Sequence, residues 1–181
     1  AIAFSWSDPY RGDRVNEVLS SGKKMNMDDM KALQVDYLSI PARTLVPYLK
    51  DLSFTGKADE AQELLSNWDF RLEPDSIEAA IYVAWENEIG DLADENFIPS
   101  AVKNDFRYLQ MKKTIDIIKN PDSWFEANAS HSRDLFLSNA FKSAINNLEI
   151  TLGPDMSKWQ YGQEKFKHTY MAHALGSSVD A

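Results

Sequence analysis

An all-α fold, an irregular helical bundle or array, is what this 181-residue sequence predicts. Two observations carry it. Stretch after stretch repeats apolar residues at i, i+3 and i+4, and none keeps the strict alternation of a half-buried strand. A hydrophobic content of 44% and an aromatic content of 12% belong to a chain that buries a core rather than to a disordered tail. Residues 1–181 are therefore expected to form a single helical domain of about seven helices with short connections.

The elements follow in order. Asp8-Pro9 reads as a helix start, because Asp accepts from orphan amides and Pro at the first helical position loses no hydrogen bond. Val15, Val18 and Leu19 then share one face, and Gly22 ends the helix. Asn26 with Asp29 three residues on starts the next, whose buried stripe is expected to be Met30, Leu33 and Tyr37. Ser39 caps a further segment that Pro41 restarts. Leu45, Tyr48, Leu49 and Leu52 continue it, with a kink or a late start at Pro47.

After Gly56, Ala61, Leu64, Leu65 and Trp68 mark a short amphipathic helix. Pro74-Asp75-Ser76 opens a longer one, with Ile77, Ile81, Ala84, Trp85 and Leu92 on one face. Tyr108, Met111, Ile115 and Ile118 keep helical period until Asn120-Pro121 stops it, and Trp124 and Phe125 are expected to plug the core from a loop. The strongest helix runs from about Ser130 to Leu152, with Leu137, Phe141, Ala144, Ile145, Leu148 and Leu152 on one face, and Gly153-Pro154 terminates it. Trp159 to His173 reads as an extended segment or ragged helix.

Charge and cysteine usage exclude several functions. Nineteen basic against 28 acidic residues give a net charge of −9, which disfavours nucleic acid or an anionic membrane as partner. The absence of cysteine removes disulfides, thiolate catalysis and cysteine metal sites. No apolar run approaches the ~20 residues that span a bilayer. Between Asp59 and Glu95 stand twelve acids and one base, Arg71. They are scattered at helical spacing, without the alternate ligands and Gly of a calcium loop, and read as a solvated acidic face. His168 and His173 are five apart, on different faces of any helix, and His131 has no triad geometry to recommend it.

One pattern remains. Trp6-x-Asp8-Pro9-Tyr10-Arg11-x-x-Arg14-Val15 is followed by Met27–Asp36, by Ser39-Ile40-Pro41-Ala42-Arg43, by Leu65-x-x-Trp68-Asp69, by Asn120-Pro121-Asp122-Ser123-Trp124, and by Leu152-Gly153-Pro154-Asp155 with Trp159-x-Tyr161-Gly162. In this order and spacing the strings resemble the penicillin acylase family of N-terminal nucleophile amidohydrolases. In that family the nucleophile is a Ser exposed by autocatalytic cleavage at the start of the large subunit. This sequence begins with Ala1, so the resemblance implies an inner helical segment of the large subunit, a helical lobe of a larger α+β hydrolase.

The resemblance also implies what the parent does. It would cleave a linear or cyclic side-chain amide through an acyl-enzyme, while the segment alone would be inactive. No cofactor is implied in this segment, although family members often carry a structural calcium, expected to be held elsewhere in the parent. The implied partners are the catalytic core of the same parent and, through it, a small-molecule amide. Family members are typically periplasmic or secreted.

Arg14 is the candidate site residue. By the resemblance it matches an arginine that positions groups around the family's oxyanion-stabilising Asn, upstream of this segment. A guanidinium suits that task, being always charged, planar and able to hold two acceptors at fixed geometry. Chemistry alone offers a second reading, in which Arg14 pairs with Asp13 or Glu17 or caps carbonyls. Arg11 is expected to form a scaffold ion pair. Two cations in the first turns of a helix oppose its dipole, so partners from elsewhere are expected. The rival to the family reading is a free-standing acidic helical module that binds a protein. That rival predicts a covered core, whereas a lobe predicts an exposed apolar patch where its catalytic core docks.

Overall fold

The computed structural model describes residues 8–105, 108–125 and 128–163. Among them the fold is all-α, with seven α-helices: α1 (Tyr10–Leu19), α2 (Met27–Gln34), α3 (Ile40–Leu45), α4 (Lys57–Ser66), α5 (Ile77–Phe97), α6 (Met111–Lys119) and α7 (Ala129–Leu152). Short 3-10 turns at Val46–Asp51, Ser100–Val102, Pro121–Ser123 and Met156–Lys158 join or extend them. The one bridge of strand type among the described residues pairs Leu38 with Arg71.

Helix α5 is the central element, and its largest contact is with α7. Ser76 caps it by accepting from the Ala79 amide at 2.9 Å. Its buried residues run from Ala79 through Tyr82 and Trp85 to Ala93 and occupy more than one face, because neighbours pack on several sides of it. The Trp85 indole donates to the Leu137 carbonyl of α7 at 3.2 Å and meets the Phe141 ring edge-on at 5.6 Å. Burying an indole with its N–H satisfied removes a large apolar area from water without leaving an orphan donor. Trp159 closes the far end the same way, fully buried with its indole donating to the Gly153 carbonyl at 2.8 Å.

Several local expectations hold. Asn26 and Asp29 form a reciprocal capping box at α2, and Ser39 caps α3 through the Ala42 amide at 3.1 Å. Pro47 falls at the point where α3 tightens into the 3-10 turn Val46–Asp51, which frees the backbone from the hydrogen bond that proline cannot make. Gly153, at φ +94°, ends α7.

Others do not. Asp8 does not cap α1; Pro9 occupies that position with no side-chain bond. The stripe Met30, Leu33 and Tyr37 is not buried: α2 ends at Gln34, Met30 and Tyr37 are exposed, and neither α1 nor α2 buries any residue. Their apolar faces line an open groove instead. Tyr108 lies outside α6 and is exposed. Trp124 is exposed as well; with Phe125 it belongs to a satellite aromatic group around Phe97 and Phe136 rather than to the main core. Of the segment Trp159–His173, the described part is neither extended nor helical but a series of tight turns, with the Gln160 amide donating to the Lys158 carbonyl at 3.0 Å around Trp159. The part beyond residue 163, with His168 and His173, lies outside the described residues.

Candidate functional site

The candidate site forms where α1 meets two connecting loops. In α1, Arg14 and Glu17 are three residues apart and project from neighbouring positions of one face. The segment after α2 and the segment after α4 then pair: the Ser39 amide donates to the Phe70 carbonyl at 2.8 Å, and the Leu72 amide to the Tyr37 carbonyl at 2.9 Å. The turn that delivers the second segment is held by the Asp69 carboxylate, which accepts from the Arg71 amide at 3.1 Å. It is also held by the Trp68 indole, which donates to the Arg71 carbonyl at 3.2 Å. Phe70 takes a positive φ of 65° at that turn. The pairing places Arg71 beside Asp36.

Around Asp36 the charges alternate. Arg14 Nε donates to Asp36 Oδ2 at 2.6 Å, and Arg71 Nη1 donates to Asp36 Oδ1 at 2.9 Å. The Leu38 amide donates to the same Oδ1 at 3.3 Å. Arg14 Nη1 lies 3.3 Å from Glu17, and Arg43 from α3 grips Glu17 through both oxygens at 2.9 Å. Arg71 Nε reaches Glu73 at 3.1 Å. Three guanidinium groups and three carboxylates thus form one chain: Arg43, Glu17, Arg14, Asp36, Arg71 and Glu73.

The centre of that chain is shielded. The Asp36 side chain is 10% exposed and the Arg14 side chain 22%, whereas Glu17 and Arg43 are each 42% exposed. Water screens the outer pair, so the Arg14–Asp36 contact is the stronger constraint. Burial pushes the Asp36 carboxyl up, and the hydrogen bonds and charges of Arg14, Leu38 and Arg71 outweigh it, holding the group below its ordinary value. Arg71 is raised, chiefly by its hydrogen bond to Glu73.

The local dipole cost of Arg14 is therefore met by two carboxylates, one foreseen and one not. Glu17 follows from i, i+3 spacing, whereas Asp36 arrives through the loop pairing. Asp13 takes no part in an ion pair with Arg14. Arg11 forms no ion pair among the described residues and stands exposed at the groove, which corrects the scaffold reading. Of the residues missed, Arg71 carried a signal, as the single base in a long acidic run. That run is also not wholly a solvated face, since Glu86 turns inward to accept from the buried Tyr82 hydroxyl at 2.8 Å.

Arg14 borders an open groove of about 530 Å³ whose lining is mostly apolar, including Val15, Met30, Leu33, Val35, Tyr37 and Leu72. Among the described residues Arg14 Nη2 has no hydrogen-bond partner. His131 is exposed on the first turn of α7, remote in sequence from this group. No cluster of three or more His, Asp and Glu among the described residues is arranged to hold a metal ion, and no described helix is long and apolar enough to cross a membrane.

Among the described residues, an arginine held by two carboxylates thus stands at the edge of an open, mostly apolar groove. The comparisons give the chain's class: the profile of the penicillin amidase family matches residues 1–180, and the chain belongs to that family. A curated relative, the acyl-homoserine lactone acylase QuiP of Pseudomonas fluorescens (strain Pf0-1), is 25% identical over an alignment covering 98% of this chain. The chain spans 25% of that relative's length.

Proposed function

We propose that these residues are the helical lobe of an amidohydrolase large subunit, and that Arg14 positions the groups that stabilise the oxyanion of acyl transfer. The parent would cleave a side-chain amide through an acyl-enzyme formed on an N-terminal Ser supplied by polypeptide outside these residues. Acylated homoserine lactones are the first substrate class to try, because the relative's name carries that activity. The observation that carries the reading is the geometry of Arg14. Its Nε is tied to Asp36 and its Nη1 is drawn to Glu17, while Nη2 has no partner among the described residues beside an open groove.

The chemistry follows from that arrangement. A guanidinium restrained on two of its nitrogens presents the third in a fixed direction, and a fixed donor needs no reorganisation as charge develops. Arg14 would act on neighbouring catalytic groups rather than on the reacting carbonyl. The groove would receive the parent's catalytic core; its exposed Met30, Val35 and Tyr37 support docking over the alternative of a self-contained acidic interaction module. The parent would work in the periplasm or outside the cell, and no cofactor would be asked of these residues.

The test is hydrolysis by the full-length parent of an N-acyl homoserine lactone and a chromogenic acyl-anilide, alongside the 181-residue chain alone. Amine release is expected from the parent and none from the chain. Turnover by the pure chain, abolished by a substitution within it, overturns the reading; so does a correctly processed parent that hydrolyses no acyl amide.

A further inference from the structure

We infer that Asp36 is a positioning residue for the parent's reaction, with Arg71 as its anchor. This rests on the reading of Arg14 given above and adds to it the device that holds the guanidinium still.

Both Asp36 oxygens are committed. Oδ2 accepts from Arg14 Nε at 2.6 Å, and Oδ1 accepts from Arg71 Nη1 at 2.9 Å and from the Leu38 amide at 3.3 Å. Turning the carboxylate to follow a moving Arg14 would break two bonds on the other oxygen. Arg71 is itself restrained by Glu73 and by backbone contacts to Asp69 and Trp68. The orientation of Asp36 is thus set by the pairing of residues 37–39 with 70–72, not by α1.

A bond to Nε fixes a guanidinium in a way that a bond to a terminal nitrogen does not. Nε joins the planar group to its aliphatic stem, so an acceptor there restrains the plane at its root while both terminal nitrogens stay available. Glu17 pulls on Nη1 at 3.3 Å, yet it is 42% exposed and shared with Arg43, so it is the weaker of the two restraints. Asp36, at 10% exposure, is much better shielded from competing water. The result is a fork whose Nη2 direction is determined from two loops outside the helix that carries it.

The experiment is a double-mutant cycle on the full-length enzyme with Arg14→Lys, Asp36→Asn and both together, reading kcat, KM and the extent of precursor processing. Asn keeps one acceptor but turns a donor toward one of the two arginines. Asp36→Asn is expected to lower kcat on the order of 10- to 100-fold with KM little changed, as for a misplaced positioning group. In the Arg14→Lys background the same change should alter kcat less than about twofold, because no fork remains to be oriented. Asp28→Asn, which removes a surface pair with Lys31, serves as the control and should leave kcat at the wild-type value.

Equal losses in both backgrounds would show a general structural role and overturn the proposal. Wild-type kcat in Asp36→Asn beside a slow Arg14→Lys overturns it while leaving the Arg14 reading intact. Wild-type kcat in Arg14→Lys overturns both. If Asp36→Asn fails to process, the cycle is run with Arg71→Lys, which removes the fork holding Oδ1 and Glu73 together. Coupling to Arg14 is again expected, and additivity again refutes the proposal.

Discussion

The Asp8 carboxylate accepts from the backbone amides of Met111 at 3.1 Å and Lys112 at 2.8 Å, and so caps α6 from 103 residues away. Gln110, at the local cap position, has no side-chain cap bond. The first turn of α6 leaves amides with no partner in the helix, and a carboxylate there satisfies two of them while facing the positive end of the dipole.

Asp8→Ala is therefore expected to destabilise the protein by about 0.5–2 kcal/mol, the usual cost of losing a cap. The loss should appear as a lower urea midpoint and as faster amide exchange at Met111 and Lys112, with exchange in α1 little changed. Faster exchange confined to α1 would return Asp8 to the local capping role that its sequence context suggests.

That reassignment shows where the sequence was legible. Helices announced by period and local chemistry appear where expected, among them the capping box at Asn26 and Asp29 and the stop at Gly153. Apolar periodicity does not say whether anything is present to cover the stripe. Their apolar character predicts Met30 and Tyr37 inside, and they are exposed because no described element packs over them. The site was half legible for the same reason. Glu17 lies within reach of Arg14 along one helix, whereas Asp36 becomes a partner only after two loops pair. No local rule predicts that pairing.

Arg14 and Arg11 should separate sharply in the full-length parent. Arg14→Lys keeps a charge but loses the planar fork, and losing one positioned contact of this type costs about 2.7–4 kcal/mol of transition-state stabilisation, or roughly 10²–10³ in kcat. The loss is expected toward the lower end, since Arg14 orients other groups. Arg11, exposed and without an ion-pair partner among the described residues, should lose far less as Lys. Steady-state kinetics on processed, folded enzyme check both; equal kcat for the two variants contradicts the assignment.

Gly162 and Gly12 should respond to alanine with opposite signs. A Cβ on Gly162 would lie 2.7 Å from Pro74 Cβ and 3.0 Å from the Pro74 carbonyl oxygen. The Gly162 amide donates to that same oxygen at 2.6 Å, beside the entry to α5. A proline ring cannot swing aside, so Gly162→Ala is expected to cost about 1–3 kcal/mol as an overpacked contact. Gly12 lies inside α1 with nothing within 4 Å of its missing Cβ. Gly12→Ala should stabilise by about 0.4–1 kcal/mol through loss of unfolded-chain entropy. Urea denaturation of the two variants decides it, and a stabilising Gly162→Ala would refute the close approach.

Asp36 and Glu86 should give opposite pH signatures. Asp36 is held below its ordinary value, burial being outweighed by Arg14, Leu38 and Arg71. Its contribution is therefore present above the unfolded value of about 3.9 and is lost as pH falls through the folded one. Asp36→Asn should cost about 1–3 kcal/mol at pH 7 by leaving a shielded guanidinium short of its acceptor. That penalty should shrink as pH falls below ~3.9, because the unfolded carboxyl takes its proton first, and it should vanish only below the lowered folded value. For Glu86, burial raises the carboxyl, the Tyr82 hydroxyl pulls the other way, and the Asp8 charge adds to the rise, leaving it above its ordinary value. A raised acid binds its proton more tightly when folded, so its contribution is fullest at low pH and falls as pH climbs from about 4.3 toward the folded value. Glu86→Gln keeps an acceptor for Tyr82 without the charge, so it should stabilise at pH 7 and make no difference near pH 3.5. Urea unfolding at the two pH values reads both variants. A Glu86→Gln gain that persists unchanged at the lower pH would mean that side-chain shape, and not the buried charge, sets the cost at this position.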